Sequence, residues 1–372
     1  MPGVAIIGWG SLVHHPEGDA IRGQKPLATI GEWQRTGPTL PLEFSRISVG
    51  RHLTLVIDPV AGRANTTFVI RSQFDLLNEA ANNLRAREGT PDRKIGRMPR
   101  GGPVPPEGPV RVIHSWLEGT DFEAVVWTAL EPKFLPDHPY SAAAGDAYLG
   151  TLQGEDRRRA YRYIAEAPDE IVTSLREIAR WPEAVAAHEA GHFVIACALD
   201  RGVVRLSRIP VDDRPGNLPT IGCHHVSLDL PGLELVACDL AGAWAQVLHF
   251  PESIARRKMQ LLKQNILLPP QQHPHYSWLG WTEDLTPVFQ NLRMPPALAE
   301  FQGLPRTDQI EPLNQRLRTF FLREDVGQSV KLVADALLAA PVIRDPELAN
   351  LRAGVNAVVS PRAARQMLFD GI

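Results

Sequence analysis

His188 and His192 stand four positions apart, with Glu189 directly after the first, in the run Ala187-His188-Glu189-Ala190-Gly191-His192. Residues at that spacing share one face of an α-helix. Two imidazoles on one face can grip a single Zn²⁺, and the neighbouring glutamate can take a proton from a water on the metal. Zinc lowers the pKa of such a water from about 15.7 to about 7, so hydroxide becomes available at neutral pH. The chemistry indicated is hydrolysis, of peptides first of all. A catalytic zinc takes three protein ligands and keeps a position open. The third ligand must come from elsewhere in the chain. His224, His225, His273 and His275 are the histidine candidates, and Glu234, Asp239, Glu283 and Asp284 the acidic ones. The proline and polar neighbours of the four histidines favour loop or surface positions for them.

The elements that must position these residues follow from spacing. Apolar residues flank the motif on both sides, as in a buried helix, and Pro182 suits the first turn of that helix. The helix should end near Asp200-Arg201-Gly202. Residues 203–209 read as a strand, either an edge strand that pairs with an extended substrate or an ordinary core strand. Residues 233–248 read as a second apolar helix, and residues 326–338 as an amphipathic one with Val330, Val333, Ala334 and Leu337 inward. Residues 214–222 and 269–275 read as loops. In the first half, residues 4–7, 53–57, 68–70, 110–114 and 124–129 read as strands. Residues 74–87, 141–153 and 157–167 read as helices, and the Gly- and Pro-rich stretch 97–109 as a loop. The boundary is expected between 178 and 179, giving domains 1–178 and 179–372 of an α+β protein.

A chain of 372 residues suggests about two domains at ~100–200 residues each. Hydrophobic content of 44% and charged content of 22% suit a globular protein with a buried core. A net charge of −3 offers no basic surplus for nucleic acid, and no polybasic tract offers a grip on an anionic membrane. The N-terminus runs straight into apolar sequence without a basic segment or cleavage site. No apolar run approaches the ~20 residues that span a bilayer. Cys197, Cys223 and Cys238 lie in apolar sequence and read as buried free thiols. A cytoplasmic location is expected.

The second half resembles the FtsH-type zinc metallopeptidases over about residues 183–350. The match starts at the H-E-x-x-H and continues in Asp239-Leu240-Ala241-Gly242-Ala243-Trp244-Ala245-Gln246, where Gln246 stands in place of the family's usual acidic residue. It reaches Gly280-Trp281-Thr282-Glu283-Asp284-Leu285 and the late helix around Lys331-Leu332-Val333-Ala334-Asp335. The resemblance implies a mainly helical, zincin-like domain with zinc on His188, His192 and Asp284, and Glu189 as general base. The chain carries no G-x-x-x-x-G-K-[ST] phosphate loop, so no ATPase feeds this site. A peptide or a flexible protein segment is the expected substrate.

The first half is similar to the gamma-glutamylcyclotransferase-like family over about residues 3–172. Ile6-Ile7-Gly8-Trp9-Gly10-Ser11-Leu12 corresponds to its loop after the first strand, and Leu84-Arg85-Ala86-Arg87-Glu88-Gly89-Thr90 to the segment that carries its acid/base glutamate. The stretch from Pro38 to Ser48 also looks like one of its subgroups. The resemblance implies a mixed β-barrel or sheet with helices, substrate binding by Gly8, Trp9, Gly10, Ser11 and Leu12, and proton transfer by Glu88 during cyclisation to 5-oxoproline. By residue type alone, the same segments are a glycine-containing turn and a helix end capped by Gly89. The leading expectation is a zinc peptidase whose N-terminal domain performs γ-glutamyl chemistry or recognises a partner protein. The alternatives are a cyclotransferase with a structural C-terminal half, and a non-catalytic pair of binding modules with structural zinc.

Overall fold

β1 (Val4–Gly8) is buried at all five of its positions, the mark of a strand covered on both faces. It belongs to the first of two units, Met1–Ala179 and Arg180–Ile372. The computed structural model describes residues 3–18, 24–136, 138–179, 181–211, 220–225, 232–251, 254, 256–267, 288, 290 and 305–371. Both helices and sheets are present, so the protein is α+β.

After β1 the first unit runs through α1 (Ser11–His14), β2 (Thr29–Gln34), β3 (Thr39–Ile47), β4 (Leu53–Ile57), β5 (Arg63–Thr66), β6 (Phe68–Ser72) and α2 (Leu77–Glu88). It continues with β7 (Ile95–Pro99), α3 (Pro109–Glu118), β8 (Ala124–Thr128), α4 (Ala142–Thr151), α5 (Gly154–Glu166) and α6 (Ser174–Ile178). One sheet has the order β2-β6-β1-β8-β7 and a second the order β4-β3-β5. In the first, Ile6 faces Ile70 on antiparallel β6 and Val126 on parallel β8. Gly96 of β7 sits opposite Trp127 of β8. A Cβ there would come within 2.1 Å of the indole, so glycine is what lets the ring lie across the strand. α2 buries Ala80, Ala81 and Leu84 against Val4, Ile6, Ile70 and Val126. Gly89, at φ +62°, ends α2 and donates its N–H to Arg85 O at 2.9 Å, the left-handed stop that glycine allows at low cost. Glu88 is therefore the last helical residue.

Three expectations change here. Residues 110–114 are not a strand but part of α3. The alternation of Val110, Val112 and His114 with Arg111 imitates period two, yet Pro109 occupies the first helical turn and Ile113, His114 and Leu117 bury at helical spacing. The loop expected over 97–109 starts later, because residues 97–99 complete β7 on β8. The loop expected over 214–222 ends earlier, since residues 220–222 begin a strand of the second unit.

The second unit contains α7 (Pro182–Ala198), β9 (Val203–Val211), β10 (Thr220–His225), α8 (Gly232–His249), α9 (Arg256–Gln264), α10 (Thr307–Phe321), α11 (Glu324–Ala339), β11 (Val342–Ile343), α12 (Glu347–Val358) and α13 (Pro361–Phe369). α7 is apolar on nearly every side and is buried accordingly, against α8, α11 and β9. Its end is a Schellman turn: Asp200, at φ +53°, donates to Cys197 O at 3.0 Å, and Arg201 donates to Ala196 O at 2.8 Å. The sheet order is β10-β9-β11. Ser207 of β9 pairs with Gly222 on one side and Val342 on the other. The strand over 203–209 is thus a middle strand, and the edge-strand alternative falls because β11 covers its far side. Among the described residues no helix is long and apolar enough to cross a membrane.

Candidate functional site

α7 and α8 approach closely because their contact face is built of small residues. A Cβ on Gly191 would meet Ala241 O and the Ala245 methyl at 2.5 Å each. A Cβ on Gly242 would lie 2.5 Å from Nε2 of both His188 and His192. Gly242 is therefore the floor on which both imidazoles rest, and any side chain there would fill the space they share. His188 is 2% exposed and Glu189 6%.

The two imidazoles converge. Nε2 of His192 lies 3.0 Å from Nε2 of His188. Nδ1 of His192 lies 2.7 Å from the carbonyl oxygen of Cys238 on α8. A carbonyl only accepts, so Nδ1 of neutral His192 carries the hydrogen and its Nε2 bears the lone pair. Two imidazole nitrogens meet at one point, one of them oriented by a backbone acceptor behind it, an arrangement that could hold a divalent cation. Two nitrogens on a tetrahedral zinc, each at ~2.0–2.1 Å, stand roughly 3.3 Å apart. The observed 3.0 Å is close to that, so the two histidines fit zinc.

Asp284, Glu283, His273 and His275 lie outside the described residues. His224 and His225 belong to β10, where they pair with Arg205 and Val203 of β9. Glu234, at the start of α8, is held by Arg201 and by Arg365 at 2.8 Å, so its carboxylate is engaged. Asp239 follows Cys238 on α8. Among the described residues no group of three or more His, Cys, Asp or Glu is placed to hold a metal.

The first unit carries a pocket at the carboxyl end of β1. Gly8, Trp9, Gly10, Ser11 and Leu12 line it together with Leu55, Thr128, Tyr163 and Glu88. The cavity is about 30 Å³, room for about two waters, so it encloses one polar group of a ligand rather than a whole dipeptide. Trp9 is buried and its indole N–H donates to Leu55 O at 3.2 Å, which ties the glycine loop to β4. Arg87 is 3% exposed. Its guanidinium donates to Ser11 O at 3.1 Å and to His15 O at 2.7 and 3.0 Å, and it pairs with Glu88 at 3.1 Å. This one side chain fastens the loop to the end of α2 and aligns the carboxyl beside it. Burial pushes the Glu88 carboxyl above the usual carboxylate range, against the pull of Arg87.

Behind Arg87, His15 lies 3.5 Å from Glu166. That hydrogen bond, outweighing burial, raises the His15 imidazole above its ordinary value. The sequence offered Glu88 and its loop but not Tyr163 or the clamp of Arg87. Arg87 was signalled only by adjacency. Tyr163 comes from α5, distant in sequence, and no local pattern marks it. No family model, no curated protein and no solved structure matches this chain.

Proposed function

We propose that the second unit is a zinc-dependent peptidase that cleaves peptides or flexible protein segments. The observation that carries this is the convergence of His188 and His192 at 3.0 Å over Gly242, with Glu189 on the same helix. His188 and His192 would hold the metal, with Asp284 as the third ligand on the resemblance to FtsH-type peptidases. When bound, zinc supplies Lewis acidity and water activated near neutral pH. Cys238 O fixes the ring of His192 through Nδ1, so the lone pair of Nε2 faces the space the rings share. Gly242 keeps that space open. Glu189 takes the proton of the attacking water on its carboxylate and returns it to the departing amine. At 6% exposure it is shielded from bulk water that would compete for that proton.

Metal analysis of the purified chain and of His188→Ala tests the reading. About one zinc per chain is expected, falling below a tenth in the variant. Glu189→Gln should keep the metal and lose at least ~10²-fold in cleavage of an unstructured reporter peptide. Cleavage that survives this change rules out Glu189 as the base.

A second activity is favoured by a separate observation, the pocket of the first unit with Glu88 in its wall. Its reading is cyclisation of γ-glutamyl compounds to 5-oxoproline, with Glu88 moving the proton. Arg87 acts as the positioning residue that holds Glu88 and the loop together.

A further inference from the structure

Tyr163 faces the same cavity as Glu88 from the opposite element. It lies on α5, whereas Glu88 closes α2 and the glycine loop follows β1. Its ring is held from two sides: His52 stacks on it at 4.6 Å with a 37° tilt, and Phe44 meets it edge-on at 6.3 Å. His52 is itself fixed by Ser48 at 3.0 Å. The hydroxyl reaches the glycine loop, since a Cβ on Gly10 would lie 3.7 Å from it. That is ordinary van der Waals distance, so the phenol lies directly against the glycine loop. The aromatic supports fix the ring, and the phenol oxygen lines the cavity, hydrogen-bonded by the Ser11 side chain and the Leu55 backbone.

The geometry points to Tyr163 as the hydrogen-bond donor that holds the carbonyl oxygen of the amide on which Glu88 moves a proton. The inference rests on the cyclotransferase reading of this pocket. In that reaction the amine nitrogen of a γ-glutamyl group attacks its own γ-carbonyl carbon. One C–N bond forms, the C–N bond to the leaving amine breaks, and the proton lost by the attacking nitrogen ends on the departing one, carried by Glu88. Nothing is oxidised or reduced. Negative charge gathers on the carbonyl oxygen as the carbon becomes tetrahedral, and a fixed donor aimed there lowers the barrier. Arg87 is not the donor: it does not line the cavity, and four of its five N–H groups are committed to Ser11 O, His15 O and Glu88. Tyr163 can serve. Burial first and then the nearby Glu88 push its phenol up to about 12, so it keeps its proton across the neutral range.

The deciding variant is Tyr163→Phe in the full chain, which keeps the ring and its contacts with His52 and Phe44. Release of 5-oxoproline from a γ-glutamyl dipeptide is followed, with thermal unfolding alongside. We expect kcat to fall about 10²-fold, KM to stay within about threefold, and the unfolding temperature to hold. Tyr163→Leu, which removes the ring as well, should lose stability in addition. Wild-type release with a Phe variant of equal kcat overturns the role of Tyr163 and leaves the pocket's reading intact. A Phe variant that melts several degrees lower makes the hydroxyl structural and overturns it too. No release by the wild-type chain, with Glu88→Gln indistinguishable from it, overturns the cyclotransferase reading and this inference together.

Discussion

A partly buried carboxyl that keeps its proton longer than a free one leaves a mark on stability. Glu88 has a raised pKa, caused by burial and opposed by Arg87. Between the ordinary carboxylate range and the raised value, the folded chain binds more protons at this site than the unfolded chain. Stability contributed through Glu88 therefore falls as pH rises through that window. Glu88→Gln removes the titration while keeping shape. The variant should melt together with the wild type near pH 4 and above it near pH 8. A difference that does not change with pH would show that burial costs the carboxylate nothing. Such residue-scale chemistry was legible where it was local. His188, Glu189 and His192 lie within one helical turn, and Glu88 abuts the glycine that stops its helix. The partners that orient them were not legible. Cys238 contributes a backbone oxygen, which no side-chain pattern announces, and Tyr163 reaches Glu88 only through the fold.

At the scale of elements, the candidate metal centre depends on how near two helices come. Gly191 and Gly242 let α7 and α8 touch, and neither tolerates a methyl without movement. In Gly242→Ala the new Cβ would push directly on both Nε2 atoms. Overpacking of this kind costs about 1–3 kcal/mol, visible in urea unfolding, and bound zinc should fall by more than tenfold. Ala243→Ser, one position along the same helix, serves as the comparison. Full metal content in Gly242→Ala would mean that the imidazoles bind in some other arrangement. α7 and α8 were both legible as apolar helices, as were β1, β4, β8 and α11, because their periodicity is uninterrupted. α3 was misread since alternating β-branched residues outweighed the proline that starts it. The middle position of β9 was hidden because its cover, β11, is two residues long and comes far later in the chain. Short strands carry little pattern of their own; pairing makes them.

At the scale of the whole molecule, each unit has its own buried core, with Ile6, Leu84 and Val126 in one and Phe193, Trp244 and Phe320 in the other. A ligand that binds one folded unit stabilises that unit by mass action and leaves the other alone. Zinc at His188 and His192 would stabilise only the second unit. At a free concentration of 100 times the dissociation constant the gain is about 2.7 kcal/mol. For a unit of this size that corresponds to roughly 5–10 °C. Calorimetry of the full chain with and without a chelator should therefore move one unfolding transition and hold the other. Fragments 1–179 and 180–372 assign the two transitions, and His188→Ala should abolish the response to the chelator. If the chelator moves neither transition, or still moves one in His188→Ala, the metal is not bound where the two imidazoles meet. The division matters for function as well. A peptidase site in one unit and a proton-shuttling pocket in the other would then be lost separately, each with its own variant, and the chain would be two enzymes sharing a single polypeptide.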